Sequence, residues 1–411
     1  MTTSIFISAG EASGEHYGAL LISALKTRLE ASGRAPSSFF GMGGPRMEVL
    51  GLDRIVRAEE MAVMGITEVV RHLPQIYRGY ARLKQAIRER HPGVAVLIDF
   101  PDIHLKLAEE LHRLGIPVIF FVSPQLWAWK KHRIKLVQKY VTRMLVIFPF
   151  EEPFYRERGV AAEFVGHPLA ELPPPAASRE QFARENSLDP LATWIGLLPG
   201  SRAKEIRANL PEMLTAARDL SEKLPGEAFQ FLVPLAPTLD SDQREQVRAL
   251  IQSHSSGGRV RTVSDARAAL LHARASAVAS GTATVEAALI GNPFVVVYRV
   301  SPLTYAIAKR VVTVPHVAMA NLIAGKRVVP ELIQDDFTAG NLSRELERLL
   351  PDAPPRQSMM MELGKIRGLL RAPGVVEGKA DLGAIGRLAE VTLELLNLRS
   401  SAAEIAPAVQ S

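Results

Sequence analysis

Short apolar runs that end in small-residue turns and pass straight into helical patterns recur along the chain, and this recurrence most limits its fold. In the first half they are Ile5–Ala9, Phe39–Met42, Val94–Ile98, Val118–Val122 and Met144–Phe148. The pattern restarts with Trp194–Leu198, Phe229–Val233, Arg259–Val263, Ala275–Ala279 and Phe294–Tyr298. Runs of this length separated by helices predict parallel strands in doubly wound α/β sheets, covered on both faces. At 411 residues the chain is too long for one ordinary core, so two domains are expected. The prolines Pro173, Pro174 and Pro175 make a semi-rigid linker, and the boundary is placed there. The expected division is residues 1–171, residues 172–374, a helix over 375–398 and a disordered tail over 399–411.

Composition removes several classes of function. The chain has no cysteine, which excludes disulfide frameworks, thiolate chemistry and cysteine metal sites. It starts on a strand-like segment without the pattern of a signal peptide. No apolar stretch approaches the ~18 residues that suggest a membrane span. A cytoplasmic location is therefore expected. The net charge of +6 suits an anionic ligand or an anionic membrane surface. No Arg/Lys tract interleaved with aromatics suggests nucleic acid.

The turns after the strands carry the chemistry. Leu197–Pro211 reads as strand, tight turn (Pro199-Gly200-Ser201) and helix. Such a turn gathers free N–H groups at the positive end of a helix, and Arg202 adds a fork of donors suited to phosphate. A Ser-capped βα turn explains the same residues equally well. Ala279–Ala288 repeats the arrangement with Ser280, Gly281 and Thr282, and places Glu286 where it could accept from ribose hydroxyls. Two such turns in one half of a chain suggest one nucleoside diphosphate held between them.

In the first half, Glu11, Ser13 and Glu15 lie in a glycine-rich turn that is neither a Walker A loop nor a dinucleotide fingerprint. They either hold sugar hydroxyls or cap a helix. Asp102 follows a buried strand through Asp99-Phe100-Pro101, where open α/β sheets keep their sites, and is either an N-cap or a general base. Asn321, Glu331 and Gln334 sit among apolar residues, as ligands or as satisfied turns. The crowded apolar segment with Met61, Val63, Met64, Ile66 and Val69 is the better candidate for touching lipid. Leu73–Arg90 reads as an ordinary surface helix. Asp240-Ser241-Asp242 mimics a metal motif but precedes a polar helix, so capping is expected.

The chain resembles the lipid-A-disaccharide synthase family over most of its length. The segments that carry the resemblance are AGEASGE at 9–15, GMGGPRM at 41–47, MAVMGITEVV at 61–70, IDFPD at 98–102 and FVSPQLWAWKKHRI at 121–134. They continue with FVGHPL at 164–169, LLPGSRAKEI at 197–206, ASGTATVEAAL at 279–289, YRVSPLTY at 298–305 and NLIAGKRVVPEL at 321–332. Many unusual segments in one order make the match specific.

The resemblance implies a GT-B fold: two Rossmann-like domains facing across a cleft, with the C-terminal helix returning to the N-terminal domain. It implies an inverting glycosyltransferase at the cytoplasmic face of the inner membrane. That enzyme joins UDP-2,3-diacylglucosamine to 2,3-diacylglucosamine 1-phosphate, giving the β-1,6-linked lipid A disaccharide 1-phosphate and UDP. Asp102 would then be the base, assisted by Glu11 and Ser13. Gly200, Ser201, Arg202, Ser280, Gly281, Thr282 and Glu286 would bind UDP. Glu15, Gln125, Asn321, Glu331 and Gln334 would position donor or acceptor. No cofactor or metal is implied, and a homodimer is left open. Three positions depart from the family pattern: Glu15 replaces the usual Asp, Met319-Ala320 the usual Leu-Pro, and Leu126 a common Val. The rival readings are a UDP-N-acetylglucosamine 2-epimerase-like enzyme on the same fold and a non-catalytic lipid-binding relative.

Overall fold

The structure, a computed structural model, describes residues 4–33, 37–61, 66–129, 131–237, 239–254, 259–312, 314–373 and 383–405. The chain forms two compact units: residues 1–171 with 370–411, and residues 172–369.

The first unit is built on a parallel sheet of β1 (Ser4–Ala9), β2 (Ser38–Gly43), β3 (Leu52–Arg57), β4 (Val94–Ile98), β5 (Val118–Phe121), β6 (Arg143–Val146) and β7 (Ala162–Phe164), in the order β3-β2-β1-β4-β5-β6-β7. Every residue of β4 is buried, as expected of a central strand with helices on both faces. Phe6, Phe40, Leu97, Leu107, Leu111 and Phe120 are among the core side chains. Each such burial contributes about 1.5–3 kcal/mol. Strands β3 and β7, which the sequence reading did not separate out, lie at the sheet edges. They are only partly buried, so their composition lacks the continuous apolar run of a central strand.

The C-terminal helix Ala384–Ile405 belongs to this unit and packs on the helix Ala12–Ala31 and on β4. Glu171 accepts the N–H of Ala384 at its start. Arg387 grips Glu163 of β7 with a two-point ion pair, Nε–Oε1 2.6 Å and Nη2–Oε2 3.1 Å. The helix continues past Arg399, so part of the expected disordered tail is helical. Its Ala- and Glu-containing end has good intrinsic helix propensity, and residues 406–411 lie outside the described residues.

The second unit repeats the design with β8 (Thr193–Leu198), β9 (Phe229–Pro234), β10 (Val260–Val263), β11 (Ala275–Ala279), β12 (Phe294–Tyr298) and β13 (Glu331–Ile333). Its order is β10-β9-β8-β11-β12-β13, and the pairings are parallel. In both sheets the strand order reverses beside the first strand, between β1 and β4 and between β8 and β11. Ligands of open α/β sheets bind outside the carboxyl ends of the strands at such a reversal.

Candidate functional site

In the first unit the candidate residues gather at the carboxyl ends of β1, β4 and β5, neighbours in the sheet. Glu11 starts the helix Ala12–Ala31 with an extended backbone and makes no side-chain cap bond. Ser13 is half-buried two residues on, in the first turn. Glu15 faces inward along the unit: its Oε1 accepts the N–H of Arg46 at 2.9 Å, and its carboxylate lies against Gly44. The Glu15 carboxylate thereby ties the β1 turn to the turn after β2.

After β4 the backbone is strained. Asp99 and Phe100 both take left-handed φ values, 53° and 51°, each costing of order 1–2 kcal/mol outside glycine. Two features hold them. The Phe100 ring lies over Gly10, where any Cβ would stand 2.5 Å from it. The buried His104 meets the carbonyl oxygen of Asp99 through Nδ1 at 2.5 Å and the hydroxyl of Ser8 through Nε2 at 2.8 Å. Burial keeps His104 neutral, with its pKa lowered to about 4. A neutral ring serves here, donating from Nδ1 to the carbonyl and accepting at Nε2 from the hydroxyl.

Burial, with the charge of Glu11 beside it, pushes the Asp99 carboxyl up to about 6. Asp102 stands in the first turn of the helix Pro101–Arg113 with its side chain 66% exposed. The Arg133 guanidinium meets its Oδ1 at 2.6 Å. Gln125, after β5, is exposed.

The lipid-facing expectation divides. Met61 is 2% exposed in the core, with its sulfur where a Cβ on Gly79 would stand, so it offers no surface to lipid. The helix Ala58–Met61 packs on β3 and on the helix Ile66–Arg90, which turns Met61 inward. Val63 and Met64 lie outside the described residues, and Ile66 and Val69 lie on the helix Ile66–Arg90.

In the second unit Gly200 has φ +118°, which L side chains rarely adopt, and turns the chain from β8 into the helix Ala203–Lys223. Arg202, not Ser201, is the N-cap residue, and it makes no side-chain cap bond. Glu205 lies back over the turn. Its Oε2 accepts the N–H of Ser201 at 3.2 Å, and its Oε1 takes the Arg202 Nη1 at 3.0 Å. A carboxylate thus sits on donors suited to an anion. The buried Asn209 donates from Nδ2 to the Pro199 carbonyl at 2.9 Å, fixing the turn from behind.

The turn after β11 opens the helix Thr282–Ile290 at Gly281, and Ser280, Gly281 and Thr282 lie at the surface of the turn. Thr284 back-bonds to the Gly281 carbonyl at 2.7 Å. Glu286 is half-buried on this helix, and burial raises its carboxyl above the usual range, opposed by Arg267.

Asn321, Glu331 and Gln334 spend polar atoms within the unit. Asn321 receives the N–H groups of Val328 and Val329 at 2.7 and 2.9 Å and donates to Glu331 Oε1 at 2.8 Å. Glu331 also accepts the N–H groups of Val317 and Ala318. Gln334 clamps both the N–H and the carbonyl of Val300. Their arrangement is that of satisfied turns holding the loops after β12, which is why a polar residue sits at each apolar-flanked position. The buried Ala320 fills the place of the family's usual proline without breaking this network. Asp240 caps its helix, accepting the Gln243 N–H at 2.8 Å.

The profile of the lipid-A-disaccharide synthetase family matches residues 5–371. The chain belongs to this family. A lipid-A-disaccharide synthase of Acidobacterium capsulatum is 59% identical over 410 residues, 98% of each chain. One of Koribacter versatilis is 49% identical over 381 residues, 92% of this chain and 96% of that one. The fold is shared far more widely. A Neisseria meningitidis UDP-GlcNAc 2-epimerase solved with UDP-GlcNAc superposes with TM-score 0.56 at 12% identity, over 96% of this chain and 99% of that one. The calicheamicin glycosyltransferase CalG4 gives 0.55 at 16% identity, over 97% and 99%. The protein is thus an enzyme, a glycosyltransferase of the lipid A family on a GT-B scaffold. Among the described residues, no helix is long and apolar enough to cross a membrane.

Sequence reasoning did not reach His104, Glu205, Asn209 or the buried Glu151, nor the pairing of Arg133 with Asp102. His104 falls on the helical pattern after Asp102 and reads as any amphipathic position. Arg133 stands in the basic run at 131–133. Only the tertiary fold pairs either with its partner.

Proposed function

We propose that this protein joins UDP-2,3-diacylglucosamine to 2,3-diacylglucosamine 1-phosphate with inversion, releasing UDP and forming the β-1,6-linked disaccharide 1-phosphate. The carrying observation is that both sheets place their candidate residues at the strand-order reversal: phosphate-type turns in the second unit, carboxylates in the first. The second unit holds UDP on Gly200–Arg202 and Ser280–Thr282, with Glu286 on the ribose. Arg202 and the helix N-termini offset the charge developing on the leaving diphosphate, a role that requires no metal or cofactor. Binding the phosphates there displaces Glu205 from the Ser201 N–H and from Arg202.

In the first unit Asp102 accepts the proton of the acceptor 6-hydroxyl. The oxygen attacks the anomeric carbon, and the bond to UDP breaks on the opposite face. Arg133 fixes the direction of the Asp102 carboxylate. Glu11, Ser13, Glu15 and Gln125 line the acceptor side, while Asn321, Glu331 and Gln334 position the donor indirectly by setting the loops after β12. With two acylated substrates the enzyme works as a peripheral protein at a membrane surface, since exposing acyl chains to water is costly; the family resemblance makes that surface the cytoplasmic face of the inner membrane.

The test is UDP release by the full chain in detergent micelles, from UDP-2,3-diacylglucosamine with and without the acyl-sugar phosphate. Release should depend on the acceptor and fall by about 10²- to 10⁴-fold in Asp102→Ala. Acceptor-independent turnover would favour an epimerase-like enzyme. Full activity in the variant would move the base to Glu11, Glu15 or Asp99.

A further inference from the structure

Glu151 is a carboxylate that the mechanism above does not use. It begins the short helix Glu151–Arg156 after β6 and is 1% exposed. Its Oε1 accepts the Ser123 hydroxyl at 2.6 Å and the Trp127 indole N–H at 3.0 Å. Its Oε2 accepts the N–H of Phe148 at 3.1 Å. Burial pushes its carboxyl up to about 7 even against these donors. Placing such a group in a core carries a desolvation penalty that a packed apolar side chain would not incur.

The two side-chain donors bracket one loop. Ser123 and Trp127 stand on either side of the exposed Gln125, so one buried oxygen closes both ends of the segment. Tyr155, one turn along the same helix, donates its hydroxyl to the Pro124 carbonyl at 2.8 Å. The Trp127 ring also meets Phe150 edge-on at 4.9 Å. The loop leaves β5 through Val122, a β-branched residue at φ +63°, a conformation that needs outside support. Six residues beyond Trp127 in the sequence, Arg133 lays its guanidinium on Asp102.

We propose that Glu151 is a positioning residue for transfer: from the core it clamps the loop that presents Gln125 and delivers Arg133 to Asp102. The inference rests on the reading of Asp102 as the base. An apolar residue would fill the same volume and support the sheet, but it would leave the Ser123 and Trp127 donors without an anchor. The loop would then relax from its strained start, and the Arg133 contact on Asp102 would weaken.

The experiment compares wild type, Glu151→Gln, Ser123→Ala and the double variant as full chains in detergent micelles. Acceptor-dependent UDP release, UDP affinity and tryptophan emission are measured. In Glu151→Gln an amide faces groups that all donate. The expected kcat falls by about 10- to 100-fold, the effect of an ångström-scale misplacement, while the Kd for UDP stays within about twofold. Trp127 emission should shift as its indole meets an amide in place of the carboxyl. Ser123→Ala should give a smaller loss in the same direction, and the double variant should be no worse than Glu151→Gln, because both act through one contact.

A folded Glu151→Gln protein with wild-type kcat, or fully additive losses, would overturn the inference and leave the transferase reading intact. If Glu151→Gln does not fold, Ser123→Ala decides alone, and wild-type kcat in it would refute the clamp. Absence of acceptor-dependent release in the wild type would sink the transferase reading and this inference with it.

Discussion

Replacing His104 with phenylalanine should change how the first unit's stability depends on pH. At neutral pH the variant loses the bonds to Ser8 Oγ and to the Asp99 carbonyl, leaving buried polar atoms without those partners. At about 1–3 kcal/mol for each, the deficit is about 2–6 kcal/mol. The acid limb runs the other way. His104 has its pKa lowered from 6.5 to about 4 in the folded chain. The unfolded chain therefore binds its proton first, and the stability this group contributes is full above pH 6.5 and is lost as pH falls toward 4. At about 1.4 kcal/mol per pH unit, the wild type gives up about 3 kcal/mol over that window, and the variant does not.

The gap between the two proteins should therefore narrow by about 3 kcal/mol between pH 7 and pH 4. Trp127 and Trp129 lie in the first unit and Trp194 in the second. Urea unfolding followed by tryptophan emission in a Trp194→Phe background reports on the first unit alone. A gap that stays constant across that range would refute the assignment of His104 as a buried neutral ring.

Burial and Glu11 hold Asp99 protonated up to about pH 6; with Asp102 as the base, the acid limb of kcat/KM should be the same in Asp99→Asn as in the wild type, and loss of a limb near pH 6 in that variant would move the base to Asp99. Gly200→Ala should weaken UDP binding by about tenfold or more and cost about 1–2 kcal/mol, because the new Cβ meets Glu205 at a φ that only glycine adopts freely. Wild-type UDP affinity in that variant, measured by calorimetry, would show that the turn does not carry the phosphates.

Much of this protein was legible in the residues themselves. The central strands announce themselves as unbroken apolar runs, because a parallel strand is buried on both faces and has no polar side to show. The turns after β1, β4, β8 and β11 could be located for a related reason: small residues, glycines and acids mark where a strand must pass quickly into a helix. The edge strands β3, β7 and β13 were not legible, since partial burial leaves them mixed in composition. What each polar residue does was decided only by the tertiary fold. Asn321, Glu331 and Gln334 read in the sequence as ligands or as satisfied turns, and the fold shows their polar atoms closing turns around Val300, Val317 and Val328. Met61 looks like a lipid contact and is core. Arg133 on Asp102, His104 beneath Asp99 and Glu151 beneath Ser123 are pairs separated by whole strands or a helical turn. A sequence fixes which groups are present and which local conformations are cheap. Which donor meets which acceptor depends on how the strands order themselves in the sheet, and that is settled by burial of the apolar faces over the whole unit.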